Sequence, residues 1–295
     1  LGFDIRQFLD DFEIEYPKKT QHATKGWVNI QCPWEDCGDS SNHMGINLQG
    51  NYFHCWHCDR SGPVQILITK LLKVGLRRAE AIVLEYDNDF IFEEDDQKLA
   101  DKVNVKGFLT SLPEQHRQYL EGRNFDPDEL IRKFKIGAFG TVGRFPHRIA
   151  IPVYDDGVLV NLTSRDITGE QEERYLSLAN EESVVPIKSC VYNIDNCIKD
   201  NILIVEGPFD VMRMGGSTSS FFGTTFKTSQ VLRVLAKFPK KVFILFDEGA
   251  DEHAEKLANN FSSFVKHVEV LNISEKDPAE LSNSDALDIR NELGI

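Results

Sequence analysis

No stretch of this 295-residue chain approaches the roughly twenty consecutive apolar residues that a membrane-crossing helix needs, so no membrane partner is expected. There is no Gly-x-x-x-x-Gly-Lys-Ser/Thr phosphate loop, which excludes a helicase motor of that type within these residues. No charged-then-apolar signal segment opens the chain, and the expected location is cytoplasmic. The first residue is Leu1 rather than Met, so a few residues are expected to precede it. Basic residues are scarce: 33 Lys and Arg face 47 Asp and Glu, a net charge of −14, which argues at first against a nucleic-acid partner. Cysteine is also sparse, but four of the six fall in close pairs, which points to metal in a reducing compartment rather than to disulfides.

The charges that are present are unevenly distributed. Val211 to Phe246 contains no acid yet carries Arg213, Lys227, Arg233, Lys237, Lys240 and Lys241. Ile131 to Arg148 is likewise acid-free, with Arg132, Lys133, Lys135, Arg144 and Arg148. Such asymmetry fits a polyanion channel on an acidic protein, or solvated faces beside buried strands. Glu85–Asp101 carries eight acids and one Lys, which reads as a solvated tether.

Near the N-terminus, Phe3, Ile5, Phe8, Leu9 and Phe12 give an amphipathic helix within residues 1–16. Cys32 and Cys37 are separated by four residues, Cys55 and Cys58 by two, with seventeen between the pairs. Two close Cys pairs suit a tetrahedral thiolate site for structural zinc, as in a zinc ribbon. His43, His54 and His57 are near enough to substitute for one thiolate. The ribbon hairpin is expected from Met44–Leu48, a Gln49–Asn51 turn and Tyr52–Cys55. Trp34, Tyr52, Phe53 and Trp56 either stack on bases or form the ribbon's own small core, and Arg60 offers a phosphate contact. Helices follow over Val64–Lys73 and from Gly75 through Leu84, then over Leu112–Leu120 and Pro127–Phe134.

Arg148–Tyr154 and Val158–Thr163 flank Asp155-Asp156-Gly157, the signature of a hairpin turn. Arg165 and Arg174 then suit either phosphate binding or ion pairing with Asp166 and Glu173. Ile202–Val205 is a buried strand tipped by Glu206 and Gly207, with Asp210 about one turn into a helix. Val242–Asp247 is a second acid-tipped strand. Val268–Ile273 is a third, followed by Lys276-Asp277-Pro278-Ala279-Glu280. Carboxylates at the C-terminal tips of parallel strands lie where open α/β sheets place their chemistry, and three together look like a divalent-metal site. Cys190 and Cys197 read as small buried hydrophobes.

These residues carry a resemblance. Cys32-Pro…Cys37…Cys55…Cys58-x-x-Ser-Gly resembles the zinc-binding domain of bacterial and phage DNA primases. Arg148-Ile-Ala-Ile-Pro-Val, Ser164-Arg165-Asp166 and Arg174-Tyr175-Leu176 resemble the part that precedes the Toprim core in those proteins. Val205-Glu206-Gly207-Pro-Phe-Asp210, Phe222-Gly223-Thr224 and Lys276-Asp277-Pro278-x-Glu280 are similar to successive Toprim motifs. The resemblance covers most of residues 25–285, in family order. It implies a multidomain chain of α+β and α/β class. Residues 1–84 would form a zinc ribbon that reads the template, 85–106 an acidic linker, 107–200 the first part of an RNA polymerase domain and 201–295 a Toprim subdomain.

The implied activity is synthesis of short RNA primers on single-stranded DNA from ribonucleoside triphosphates, leaving an RNA–DNA hybrid. The implied cofactors are structural Zn²⁺ on Cys32, Cys37, Cys55 and Cys58, and catalytic Mg²⁺ or Mn²⁺ on Glu206, Asp247, Asp251, Asp277 and Glu280. Glu206 would act as metal ligand or general base, and Arg148, Arg165 and Lys227 would contact nucleotide or template phosphates. A separate replicative helicase is the expected partner, in a bacterial or phage setting. The family's second Asp after the second core strand is replaced by Gly249, so Glu248 or Asp251 is expected to stand in. The rival readings are a non-catalytic zinc/Toprim recombination mediator, which would not need the Arg148–Tyr154 and Arg165–Arg174 tracts, and a Toprim nuclease.

Overall fold

The computed structural model describes residues 3–17, 26–86, 99–273 and 277–295. Most of the expected linker, and Lys276, lie outside the described residues. The chain divides into two compact units, Leu1–Asp95 and Asp96–Ile295.

The first unit opens with α1 (Ile5–Asp11), capped by Asp4, whose carboxylate accepts from the Gln7 N–H. Its apolar face, Ile5, Phe8 and Leu9, is buried. A four-stranded antiparallel sheet follows, ordered β1 (Trp27–Ile30), β2 (Met44–Asn47), β3 (Tyr52–Cys55) and β4 (Ser61–Pro63). Its alternation is that of a half-buried sheet: Val28, Ile30, Phe53 and Cys55 face in, while Trp27, Tyr52 and His54 are partly exposed. Two helices complete the unit, α2 (Val64–Leu72) and α3 (Leu76–Glu85). Lys73, in the left-handed conformation, ends α2.

The second unit holds two sheets on one continuous apolar core. The first is antiparallel and runs β5 (Phe108–Leu109), β6 (Gly137–Phe139), β7 (Arg148–Asp155), β8 (Val158–Asp166) and β9 (Tyr175–Ser177). Between β5 and β6 lie α4 (Glu114–Glu121) and α5 (Pro127–Phe134); α5 begins with Asp126 as N-cap and Pro127 in its first turn. The β7–β8 hairpin turns at Asp156 and Gly157, both at positive φ, as a two-residue Asp-Gly turn requires.

The second sheet is parallel. It comprises β10 (Asn201–Val205), β11 (Thr218–Ser220), β12 (Lys241–Leu245) and β13 (His267–Val270), in the order β11-β10-β12-β13. Ile202–Val205 and Val242–Leu245 are buried on both faces, which explains their unbroken apolar runs. Helices α6 (Pro208–Met214), α7 (Thr228–Leu235) and α8 (Asp251–Ser262) connect these strands, and α9 (Asn283–Leu293) closes the chain. All seven residues of α6 are buried. The third parallel strand ends at Val270, short of the expected Ile273, and is an exposed edge. Architecture is therefore mixed: an antiparallel ribbon in one unit, and antiparallel and parallel sheets with helices in the other.

Candidate functional site

In the ribbon, the Sγ atoms of Cys32, Cys37, Cys55 and Cys58 all lie within 4.8 Å of one another. Cys37 Sγ is 3.7 Å from Cys55 Sγ, and Cys32 Sγ is 4.0 Å from Cys58 Sγ, so these are gathered free thiols and not disulfides. The set fits structural zinc. The candidate substitutes stand aside from it: His43 Nδ1 lies 2.8 Å from Asp39, and His54 Nε2 lies 3.6 Å from Asp59. His57 Nδ1 is 3.4 Å from Cys37 Sγ, a contact with a ligand rather than a fifth place in the cluster. Asp39 is itself buried. Its carboxylate accepts from the N–H groups of Cys32, Ser41 and His43, which fixes the loop after the first Cys pair.

The ribbon aromatics divide into two groups. Trp34 and Phe53 are buried and stacked, with centroids 5.4 Å apart, so they are core and not a base-stacking face. Trp56 is 52% exposed, and its ring lies 5.3 Å from Trp27 and 5.2 Å from His54; Tyr52 meets Trp27 edge-on. Gly45 lies beneath them: a Cβ there would come within 2.4 Å of the Trp56 ring and 2.9 Å of Trp27. Trp27, absent from the expected set, is thus part of the outward aromatic face. Arg60 corrects another expectation. Both Nη atoms donate to the Asp36 carboxylate, and the guanidinium lies over Trp34, so it braces the ribbon.

The second unit places its acids at the C-terminal edge of the parallel sheet. Glu206 follows β10, Asp247 lies just past β12, and Asp277 caps a short 3-10 turn. Asp210, in the first turn of α6, faces them. Oxygens of Asp210, Asp247 and Asp277 all lie within 4.8 Å of one another. Glu206 Oε1 accepts from the Asp247 N–H at 3.0 Å, tying the two strand tips together. Asp210 Oδ2 accepts from the Gly207 N–H at 2.8 Å.

Burial raises the pKa of Glu206, Asp210 and Asp247. Asp210 is pushed well above the usual carboxylate range by burial and then by Asp277. Asp247 is pushed up to about 6 by burial, then by the charges of Glu206 and Asp277. Glu206 is raised by burial and Asp277, against the Asp247 N–H that favours its ionised form.

Asp251 opens α8, is exposed, and stands outside the cluster; Glu248 is exposed in the preceding loop. Glu280 is exposed and also outside the cluster, although its charge is felt at Asp247. Neither candidate for the position of Gly249 joins the cluster, whose third acid is Asp210, on the helix after the neighbouring strand. The signal was present in Glu206-Gly-Pro-Phe-Asp210: four residues past a strand tip, across a Gly-Pro helix start, a side chain returns toward that tip.

The acids share one pocket of about 350 Å³ with Arg123, Arg165, Arg174 and Lys188, and with the rings of Tyr175, Phe209 and Phe222. The Arg165 guanidinium lies 4.9 Å from the Tyr175 ring centroid and 5.5 Å from that of Phe209. Arg174 is close enough to lower the Asp247 pKa against the acids. Lys188 Nζ donates to the Phe222 carbonyl.

Two expected phosphate ligands lie elsewhere. Arg148 is only 2% exposed and donates to the carbonyls of Ser164, Glu173 and Arg174, so it is an internal brace and not a phosphate contact. Lys227 is exposed at the start of α7, outside the pocket lining. About half of the cations in the basic runs already have partners, some at the surface and some buried. Arg233 pairs with Asp155 and Asp156, Lys240 with Asp200, Lys133 with Glu129 and Arg144 with Glu182, and Arg213 is buried. The pocket's positive charge comes instead from residues scattered over four segments. Cys190 and Cys197 are buried, as small hydrophobes are.

No protein-family model matches the chain. Over 128 residues it is 24% identical to a DNA primase of Lactococcus lactis subsp. lactis; the match spans 38% of this chain and 20% of that protein's length. Its structure resembles the zinc-binding and RNA polymerase domains of the Aquifex aeolicus primase, with a TM-score of 0.52 at 17% identity, covering 99% of this chain and 82% of that one. It also resembles the RNA polymerase domain of Mycobacterium tuberculosis primase DnaG, with a TM-score of 0.50 at 19% identity, covering 59% of this chain and 74% of that one. The chain therefore has the fold of bacterial primase zinc-binding and RNA polymerase domains.

Proposed function

We propose that this chain is a DNA primase, a nucleotidyl transferase that copies single-stranded DNA into a short RNA primer from ribonucleoside triphosphates. One observation carries the reading: a single pocket gathers four acids, Glu206, Asp210, Asp247 and Asp277, beside four cationic side chains. Joining a 3′-hydroxyl to a triphosphate brings negative groups together and needs charge neutralised on both sides of the transferred phosphorus. Mg²⁺ or Mn²⁺ held by Asp210, Asp247 and Asp277 would supply Lewis-acid stabilisation of the leaving pyrophosphate. Arg123, Arg165, Arg174 and Lys188 bind phosphate oxygens of the nucleotide and of the strand it joins in this reading. Arg165 is fixed between two rings, so little freedom is lost when it binds. Glu206, its pKa raised, takes the proton of the attacking hydroxyl or completes the ligand set. Lys227, outside the pocket, serves the template strand rather than the nucleotide.

The C-terminal sheet plays the part of a Toprim core in this proposal, and the four-thiolate ribbon holds Zn²⁺. Trp27, Tyr52 and Trp56 offer stacking faces for unpaired template bases. The product is an RNA–DNA hybrid, and a separate helicase supplies the opened strand.

Labelled ribonucleotides, single-stranded DNA and Mg²⁺ or Mn²⁺ test the proposal, comparing wild type with Glu206→Gln. Primers made by wild type alone support it. Template cutting would favour a nuclease, and tight DNA binding without chemistry a recombination mediator.

A further inference from the structure

Behind the pocket lie two hidden arginines whose bonds follow one pattern. Arg213, 5% exposed on α6, donates from Nη2 to the carbonyl of Arg123 at 2.7 Å and from Nη1 to that of Asn124 at 3.0 Å. It also donates from Nη1 to Asn283 Oδ1 at 2.6 Å and from Nε to the Ala279 carbonyl at 3.2 Å, two residues past Asp277. Arg148, on β7, donates from Nη2 to the carbonyl of Glu173 at 2.6 Å and from Nη1 to those of Arg174 and Ser164, each at 3.4 Å. The main chains they grip are those of Arg123 and Arg174, whose side chains line the pocket.

None of these seven bonds goes to a carboxylate. A buried guanidinium hydrogen-bonded to carbonyls and to no carboxylate is a poor way to gain stability, even where, as at Arg148, the charges of Asp166 and Glu173 are felt nearby. It is a good way to fix geometry, because a rigid planar fork holds its carbonyls in one set arrangement, whereas a lysine's three donors turn on a flexible stem. Arg213 does more than hold a loop. By gripping both Arg123 and Ala279 it sets the separation between a cationic wall and the segment that carries Asp277.

We propose that Arg148 and Arg213 are positioning residues for nucleoside triphosphate binding: Arg213 places Arg123 against the acid cluster, and Arg148 places Arg174. The proposal rests on the nucleotide reading of the pocket.

The test uses the full chain, a fluorescent ribonucleoside triphosphate with Mg²⁺ as binding probe, and primer synthesis for kcat and KM. The variants are Arg213→Lys, Arg148→Lys, Arg123→Ala, Arg174→Ala and the doubles Arg213→Lys/Arg123→Ala and Arg148→Lys/Arg174→Ala. Each Lys variant is expected to raise Kd and KM about tenfold, with kcat changed less, since a misplaced binding group costs affinity before chemistry. In each double, the Lys substitution is expected to add nothing to the loss already caused by Ala, because its effect runs through the missing side chain. Asn283→Ala, which removes one acceptor of Arg213, replaces Arg213→Lys under the same criteria if that variant does not fold. Additive losses, or Lys variants that bind as wild type does, would overturn the inference. So would wild-type binding that Arg123→Ala and Arg174→Ala leave unchanged. A wild-type chain that binds no triphosphate would overturn the nucleotide reading itself, and this inference with it.

Discussion

At the scale of single residues, the acid cluster carries a thermodynamic signature. The Asp247 pKa in the fold is about 6, above the ordinary carboxylate value of about 3.9. A raised acid disfavours its ionised form in the folded state. Its contribution to stability is therefore fully present below the unfolded value and is lost as pH rises through about 4 to 6. Asp210 and Glu206 shift in the same direction. The metal-free protein is thus expected to lose part of its melting temperature over that interval. Added Mg²⁺ should raise the melting temperature at about pH 7.5 and do little at about pH 4.5, where Asp247 holds its proton. Equal shifts at both pH values in differential scanning fluorimetry would count against cation binding here. Glu206→Gln keeps an oxygen for the Asp247 N–H while removing the charge, so the fold should hold and primer synthesis should fall by at least about a hundredfold. A variant with wild-type activity would remove Glu206 from the chemistry. The placement of Glu206 is legible in the sequence, because an acid directly after a buried apolar run falls at a strand tip. The approach of Asp210 to Asp247 is not, since chain distance hides what the Gly-Pro helix start does to direction. Asp251, chosen for nearness in sequence, stands outside the cluster for the converse reason.

At the scale of elements, the ribbon's four strands are only three or four residues long, and its four thiols gather within 4.8 Å of one another. A small sheet of this kind draws folding free energy from its metal. Chelation with 1,10-phenanthroline is expected to quench and red-shift tryptophan emission, because all three tryptophans, Trp27, Trp34 and Trp56, belong to the ribbon. The far-UV signal of the second unit's helices should largely persist. Loss of all secondary structure on chelation would show that the second unit depends on the first. Gly45→Ala tests the aromatic face more finely, since its Cβ would displace the Trp56 ring. It should weaken binding of single-stranded DNA several-fold without unfolding the ribbon, as a stacked base is worth roughly 1–3 kcal/mol. Unchanged affinity in fluorescence anisotropy would deny that face a role. The elements themselves were read well where one signal dominated: α5 from its Asp-Pro start, β10 from its apolar run, the β7–β8 hairpin from Asp-Gly. Trp34 and Trp56 could not be sorted by pattern, because in a two-turn ribbon each aromatic has a partner on either side, and packing alone decides which faces in.

At the scale of the whole molecule, charge tells two different stories in sequence and in space. The acid-free runs hold eleven cations, Arg132, Lys133, Lys135, Arg144, Arg148, Arg213, Lys227, Arg233, Lys237, Lys240 and Lys241. Six of these already have partners within the chain: Arg144, Arg233 and Lys240 pair with acids distant in sequence, Lys133 with Glu129 one helical turn away, and Arg148 and Arg213 bond to carbonyls. For Arg144, Arg233 and Lys240 a linear count could not show this, because their neutralising acids lie in other segments. What faces the pocket is Arg123, Arg165, Arg174 and Lys188. These two pictures differ in a measurable way. Each phosphate neutralised on a single strand contributes about −0.7 to the slope of log K against log salt concentration. Four pocket cations and Lys227 then give a slope no steeper than about −3.5, whereas a channel using all eleven would approach about −8. The low value is the expected one for single-stranded DNA titrated across a range of salt. It should flatten by about 1.4 in an Arg165→Ala/Arg174→Ala double variant, in proportion to the two contacts removed. A slope steeper than about −6 in the wild type would mean that the internal ion pairs open to serve the strand, and that the grip on nucleic acid is spread over the surface and not concentrated at the acid-lined pocket.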